Sequence, residues 1–250
     1  MVSWNTGTVV GQKQWNNVLY SLYVESDIEP FVAGQFVKIA LEIGGEVIGR
    51  PYSLVNPPNQ KLLEIFYIEV PEGLLTSHLI KLQPGDEILV APRAHGFLVL
   101  DDVPQAKDLW LIATGTGIGP FLSILMTDQP WQRFERVILV YAVRTVSDLC
   151  YQEKISQILA MHPGQFIFVP FVSRETLKSA LSGRIPQAIA DGRLEERVEL
   201  RISKESSQLM LCGNPHMVRD ATRALMNRGM KKHRRFDPGQ ISSENYWQEG

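Results

Sequence analysis

Cysteine is scarce: the 250-residue chain has two, Cys150 and Cys212, far apart and in no CxxC pair. That implies no cysteine-bound metal, no iron–sulfur cluster and no disulfide framework within the chain. No apolar run approaches the ~18–20 residues that span a bilayer, so no membrane insertion is expected. Charge of one sign is lacking too, at a net -2, which decides little about partners; nucleic acid is not an expected one. The first residues, Met-Val-Ser-Trp-Asn-Thr-Gly, have neither a basic patch nor an apolar core. No secretory signal is read there, and a reducing cytoplasm is the simplest location. There is no internal repeat and no low-complexity segment. What remains is an ordinary globular composition, 44% hydrophobic and 21% charged, long enough for one large domain or two modest ones.

The hydrophobic pattern divides the chain. Residues 18–24, 35–43, 62–70 and 87–90 are rich in β-branched and aromatic residues, with Gly34, Gly44-Gly45, Pro57-Pro58-Asn59 and Pro84-Gly85-Asp86 among them. Short strands at this spacing predict an antiparallel β-barrel or sandwich over residues 1–100. After Asp101 come unbroken apolar runs at 109–113, 137–142, 166–169 and 209–212. Such runs fit parallel strands covered on both faces. Helical periodicity over 149–161 and 216–228 alternates with them, and Asn214-Pro215 supplies an N-cap with proline at the first helical position. The reading is a two-domain chain, the barrel followed by an α/β parallel-sheet domain over 101–250. The polar, proline-interrupted stretch 100–107 is the expected linker.

Several motifs carry possible chemistry. Ala113-Thr114-Gly115-Thr116-Gly117-Ile118-Gly119-Pro120 follows the first parallel strand. Its glycines would let a pyrophosphate approach a helix start, or they mark a strand-to-helix turn with no ligand. The spacing is GxGxGP, not GxGxxG. Arg50-Pro51-Tyr52-Ser53 offers a guanidinium for phosphate, a ring for a flat cofactor and a hydroxyl; a lone tyrosine more often packs. Gly73-Leu74-Leu75-Thr76-Ser77 reads as a helix start, as a phosphate cradle or an ordinary cap. Arg144, Ser173-Arg174 and Arg184 follow strands, where open α/β sheets bind ligands and where guanidiniums would hold a 2′-phosphate. Any one of them is by default solvated charge. Cys212 in Cys212-Gly213-Asn214-Pro215 is either a small buried residue or a neighbour of a nicotinamide. Tyr246-Trp247 near the chain end need a surface to pack on. The basic run Lys231-Lys232-His233-Arg234-Arg235 is a solvated turn or a docking face for an acidic protein.

In this order RxYS, GxxT, GTGxGP, CGNP and a terminal aromatic resemble the ferredoxin–NADP(+) reductase family over essentially the whole chain. The short bacterial branch, which also serves flavodoxin, is similar at Ala33–Phe36 (AGQF), Pro84–Glu87 (PGDE), Ser182–Pro186 and Cys212–Asp220. The resemblance implies FAD and NADP(H) as cofactors, ferredoxin or flavodoxin as partner, and nicotinamide–flavin hydride transfer followed by one-electron steps. It implies that Arg50 pairs with the FAD pyrophosphate, beside Pro51. Tyr52 would stack on the isoalloxazine, with Ser53 near flavin N5. Phe66, Tyr67, Ile68 and Glu69 would line the flavin, and Leu74, Leu75 and Thr76 would hold its phosphates. Thr116 would sit where flavin and nicotinamide meet. Gly115, Gly117 and Gly119 would admit the NADP pyrophosphate, with Asn214 in the same site. Arg144, Ser173, Arg174 and Arg184 would hold the 2′-phosphate. Cys212 and Glu244 would border the transfer site, Tyr246 would cover the second flavin face, and Trp247 would pack near the adenine. Tyr52, Ser53, Cys212, Glu244 and Tyr246 are thus the expected catalytic set. The chain departs from many relatives in GxxT for GxxS, which keeps a hydroxyl, and in continuing past the aromatic pair with Gln248-Glu249-Gly250.

A free-flavin reductase would not need aromatics over a retained FAD. An oxygenase reductase usually brings clustered cysteines, which this chain lacks. A dinucleotide-binding redox sensor would bind NADP without turnover. A monomer is expected, since no extra apolar face stands out.

Overall fold

The computed structural model describes residues 3–245. By contacts the chain falls into two compact units, one made of residues up to Val99 with Gly119–Thr127, the other of Leu100–Ile118 with Asp128 onward.

The first unit is built on six antiparallel strands: β1 (Asn5–Gln14), β2 (Leu19–Glu25), β3 (Phe36–Ile43), β4 (Glu46–Ser53), β5 (Leu62–Ile68) and β6 (Glu87–Val90). Their order is β4-β3-β6-β1-β2-β5. The two edges meet through a bridge between Leu54 and Ile65 and a 2.9 Å bond from Val55 N–H to Glu64 O. Closure of this kind leaves no long open edge. Alternate residues point inward, so Val9, Leu22, Val24, Val37, Ile39, Leu63, Ile65, Ile88 and Val90 fill the interior. A register shift in β1 between Val9 and Gly11 lets the strand bend around the barrel. A single turn of helix, α1 (Thr76–Leu79), adds Leu79 to that core.

Sequence pattern located β2, β3, β5 and β6 but not β1 and β4. β1 carries mostly polar, outward-facing residues. β4 contains Gly49 and Pro51, which suppress a strand reading; the proline is tolerated because β4 ends the strand order.

The second unit holds six parallel strands: β7 (Asp108–Thr114), β8 (Arg136–Val143), β9 (Phe166–Val172), β10 (Leu181–Ser182), β11 (Ser207–Gly213) and β12 (Ile241–Asn245). The order is β10-β9-β8-β7-β11-β12. β11 is buried along its whole length and β7 along all but its last residue, which is why both read as unbroken apolar runs. Around the sheet run α3 (Gln129–Arg133), α4 (Gln152–Met161), α5 (Ile185–Ala190), α6 (Arg193–Val198) and α7 (Pro215–Met226). The remaining helix, α2 (Gly119–Leu125), belongs by contact to the first unit. Asn214 Oδ1 accepts from the His216 and Met217 N–H groups at 2.9 and 3.4 Å, capping α7 as its sequence predicts.

Three expectations change. α4 starts at Gln152, not Leu149, because Tyr151 ahead of it is left-handed at φ 63°. A short 3-10 turn, Gly115–Ile118, comes between β7 and α2. The stretch 100–107 is not a free tether: Leu100 and Val103 are buried, and the Arg133 guanidinium donates to both of their carbonyls.

Asn56 secures the barrel closure. Its side chain accepts from Glu64 N–H at 2.9 Å and donates to Gln60 O at 3.2 Å, while its own carbonyl accepts from the buried Ser123 hydroxyl at 2.8 Å. Asn56→Ala removes the acceptor that the buried Glu64 N–H uses, at a cost of roughly 2 kcal/mol. Thermal unfolding should show Tm lower by about 4–8 °C; an unchanged Tm contradicts this role.

Candidate functional site

The chain visits β7, β8, β9 and β10 in one direction and then returns to place β11 on the other side of β7. Such a reversal opens a crevice at the carboxyl ends of the strands. The 3-10 turn Gly115–Ile118 lies there. Gly115 is left-handed at φ +54°, and a Cβ on it would meet nothing within 4 Å. Gly117 is the opposite case: a Cβ would come 2.6 Å from the Cys212 carbonyl oxygen. The turn therefore packs its backbone against β11 and keeps open space beside it, which suits a pyrophosphate. Thr114 was not singled out from sequence, yet its hydroxyl accepts from Asn214 N–H at 2.8 Å and ties the two loops together. A polar residue ending a buried strand just ahead of a glycine run is the signal that could have found it.

Register gathers the arginines on the same edge. Val143 pairs with Val172 and Val172 with Ser182, so Arg144, Ser173 and the residues before Arg184 follow strand ends lying in one row. Arg174 N–H donates to Arg144 O at 2.9 Å, and Ser173 reaches Val143 O through both N–H and hydroxyl at 3.1 and 3.2 Å. All three guanidinium side chains are exposed, and none is ion-paired with a carboxylate among the described residues. Some arginines elsewhere are ion-paired: Arg136 with Asp108, Arg193 with Asp191 and Arg228 with Glu195. Exposed cations in a row at a strand edge are available to a phosphate.

Cys212 and Glu244 face one another in the β11–β12 register. Cys212 is fully buried. The Oε2 of Glu244 is buried with no hydrogen-bond partner among the described residues, and burial raises its carboxyl to about 7. A buried, unsatisfied and shifted carboxyl is a candidate for a functional group. Tyr246 and Trp247 lie outside the described residues.

In the first unit, Arg50, Pro51, Tyr52 and Ser53 end β4. Among the described residues the exposed Arg50 guanidinium bonds to the neighbouring Gly49 carbonyl, at 2.8 Å, and to no carboxylate. Tyr52 sits edge-on to Tyr67, ring centroids 6.4 Å apart and planes at 81°. Burial raises its hydroxyl to about 12 despite the nearby Arg50 charge, so the ring is neutral. Ser53 is buried. On β5 the side chains of Phe66 and Tyr67 are turned into the protein, whereas Ile68 is exposed and Glu69 half-buried. The Thr76 hydroxyl accepts from Val70 N–H at 3.0 Å and donates to Val70 O at 3.2 Å, and the Ser77 hydroxyl donates to Gly73 O at 2.8 Å. Both hydroxyls shape the turn, with Leu74 exposed and Leu75 buried beside them. An unpaired guanidinium, a neutral ring and exposed apolar residues together fit a flavin nucleotide.

The basic run lies elsewhere. It forms a hairpin closed between Arg234 and Asp237, with Lys231 bonded to Asp237, and it leads into the amino end of β12, away from the carboxyl edge.

Comparison with known proteins decides the family. Residues 12–94 match the oxidoreductase FAD-binding domain and residues 111–223 the oxidoreductase NAD-binding domain. The flavodoxin/ferredoxin–NADP reductase of Escherichia coli is 45% identical over 99% of this chain and 100% of its own. The chain belongs to the flavodoxin/ferredoxin–NADP reductase family. A ferredoxin–NADP reductase of Pseudomonas aeruginosa is 36% identical over 94% of each chain. The crystal structure of a ferredoxin NADP+ reductase from Neisseria gonorrhoeae, with bound FAD and NADP, superimposes with a TM-score of 0.92 at 32% identity, covering 99% of this chain. No helix among the described residues is long and apolar enough to cross a membrane.

The raised Glu244 carboxyl makes stability depend on pH with a known sign. Its folded-state value lies above the unfolded one, so the folded state holds the extra proton and stability falls as pH rises from about 4.5 through about 7. Glu244→Gln should flatten that limb and leave the variant more stable than the parent at pH 8. Parallel Tm–pH curves for the two proteins contradict the assignment.

Proposed function

We propose that this chain is an FAD-dependent oxidoreductase that moves electrons between NADPH and ferredoxin or flavodoxin. The family membership supports the activity, and the row of unpaired guanidiniums at the carboxyl edge supports NADPH over NADH. FAD, when bound, supplies the conversion between two-electron exchange with nicotinamide and one-electron exchange with the carrier. The chain's own residues bind and align. Arg50 neutralises the FAD pyrophosphate and Tyr52 offers its neutral ring to the isoalloxazine, with Ser53 at its edge. The turn at Gly73–Thr76 holds its shape through its own hydroxyls and presents backbone N–H groups to phosphate. Gly115 and Gly117 admit the NADP pyrophosphate. Arg144, Arg174 and Arg184 grip the 2′-phosphate, with the Ser173 hydroxyl beside them. Cys212 and Glu244 border the nicotinamide, and a carboxyl near 7 holds or releases a proton there within the working range. The protein works as a monomer in the cytoplasm. Its carriers are acidic, and the exposed cations of the 231–235 hairpin are one candidate docking face, separate from the NADP grip.

Charge-assisted hydrogen bonds of the kind proposed here are worth about 1.5–3 kcal/mol each. Arg174→Ala with Arg184→Ala should therefore raise KM for NADPH at least about tenfold while KM for NADH and kcat change little. Steady-state kinetics with both nucleotides check this. Equal losses for NADPH and NADH, or none, reject the 2′-phosphate assignment.

A further inference from the structure

One side chain outside the residues considered so far joins two parts of the first unit. Gln12 lies on β1 and is partly buried. Its Oε1 accepts from the Tyr67 hydroxyl. Its Nε2 donates to Leu79 O at 3.2 Å and to Leu82 O at 3.4 Å. Those carbonyls belong to the end of α1 and the turn after it, and Leu79 O also accepts from Leu82 N–H at 3.2 Å. The amide thus uses both its acceptor and its donor on partners that are far apart in sequence.

Tyr67 is 1% exposed and held on three sides. Its ring stacks on Tyr20, its partner in the β2–β5 register, with centroids 5.6 Å apart and planes at 22°. Its hydroxyl is fixed by Gln12, and burial keeps that hydroxyl protonated by raising it far above its ordinary range. The third contact is the edge-on one with Tyr52. An unbroken series of contacts therefore runs from the α1 carbonyls through Gln12 and Tyr67 to Tyr52.

We propose that Gln12 is a positioning residue for FAD: through Tyr67 it fixes the ring plane of Tyr52 and couples it to α1, the helix that follows the Gly73–Thr76 turn. This rests on the reading that Tyr52 carries the isoalloxazine and that this turn holds the pyrophosphate. One amide then sets the two ends of the cofactor site relative to each other. Pre-set geometry of this kind lowers the ordering cost of binding. It also explains a core tyrosine where phenylalanine would fill the space equally well.

The test uses purified holoprotein and three variants: Gln12→Leu, Tyr67→Phe, which removes only the hydroxyl, and Tyr52→Ala. Flavin fluorescence at saturating FAD, FAD affinity of the stripped protein and Tm are measured for each. A phenol stacked on a flavin quenches its emission, so fluorescence reports the ring contact directly. Gln12→Leu and Tyr67→Phe should each raise emission severalfold and weaken FAD binding about tenfold, the scale of one to two lost hydrogen bonds, with KM for NADPH unchanged. If Tyr52→Ala releases the emission while the other two leave emission and affinity at the parent values, the positioning role is overturned. If Tyr52→Ala itself changes neither, the stacking assignment fails and the proposal falls with it. Should Gln12→Leu not fold, Tyr67→Phe alone decides.

Discussion

The nucleotide end of this protein depends on the approach of one backbone to another. The turn after β7 passes so close to the Cys212 carbonyl that position 117 has room for hydrogen alone. That contact sets where the glycine turn lies, fixes the carboxyl end of β11 against it, and opens the crevice where the strand order reverses. The bond from Asn214 N–H to Thr114 Oγ1 holds the same junction from the other loop. Asn214 then caps α7, so one residue belongs to both the sheet junction and the helix start. Cys212 at this junction is buried, and its register neighbour Glu244 carries a carboxyl that burial shifts upward.

Charged groups fall into two conditions in this fold. Asp108 at the amino end of β7 is nearly buried and answered by Arg136 at 3.3 Å, and Arg228 is answered by Glu195. Arg50, Arg144, Arg174 and Arg184 have no such carboxylate among the described residues. The buried oxygen of Glu244 has no hydrogen bond among the described residues. Groups left in this condition cost the fold something or gain nothing for it, which is the condition the proposed phosphate and nicotinamide contacts would relieve.

Much of this was legible in the sequence, for identifiable reasons. Buried parallel strands such as β7 and β11 announce themselves because both faces are covered, and the α7 cap is written in Asn214-Pro215. The barrel strands β2, β3 and β5 show through their β-branched and aromatic content. β1, β4 and β12 were silent, since outward-facing polar residues, a proline and a glycine, and Ile-Ser-Ser-Glu-Asn carry no hydrophobic period; the neighbouring ladders impose their conformation. Within the sites, motif residues could be named but not what their side chains do. The hydroxyls of Thr76 and Ser77 are spent on the turn, and the Tyr67 ring points into the core, facts set by tertiary packing. Gln12 carries no local signature, because it acts through partners more than 50 positions away.

Anaerobic absorbance titration of the purified protein with NADPH and, separately, NADH asks whether this fold holds FAD and draws electrons from NADPH. The expected result is a yellow protein carrying one FAD per chain, bleached much faster by NADPH than by NADH. A protein that takes up no FAD, or one that both nucleotides reduce at the same rate, would contradict it.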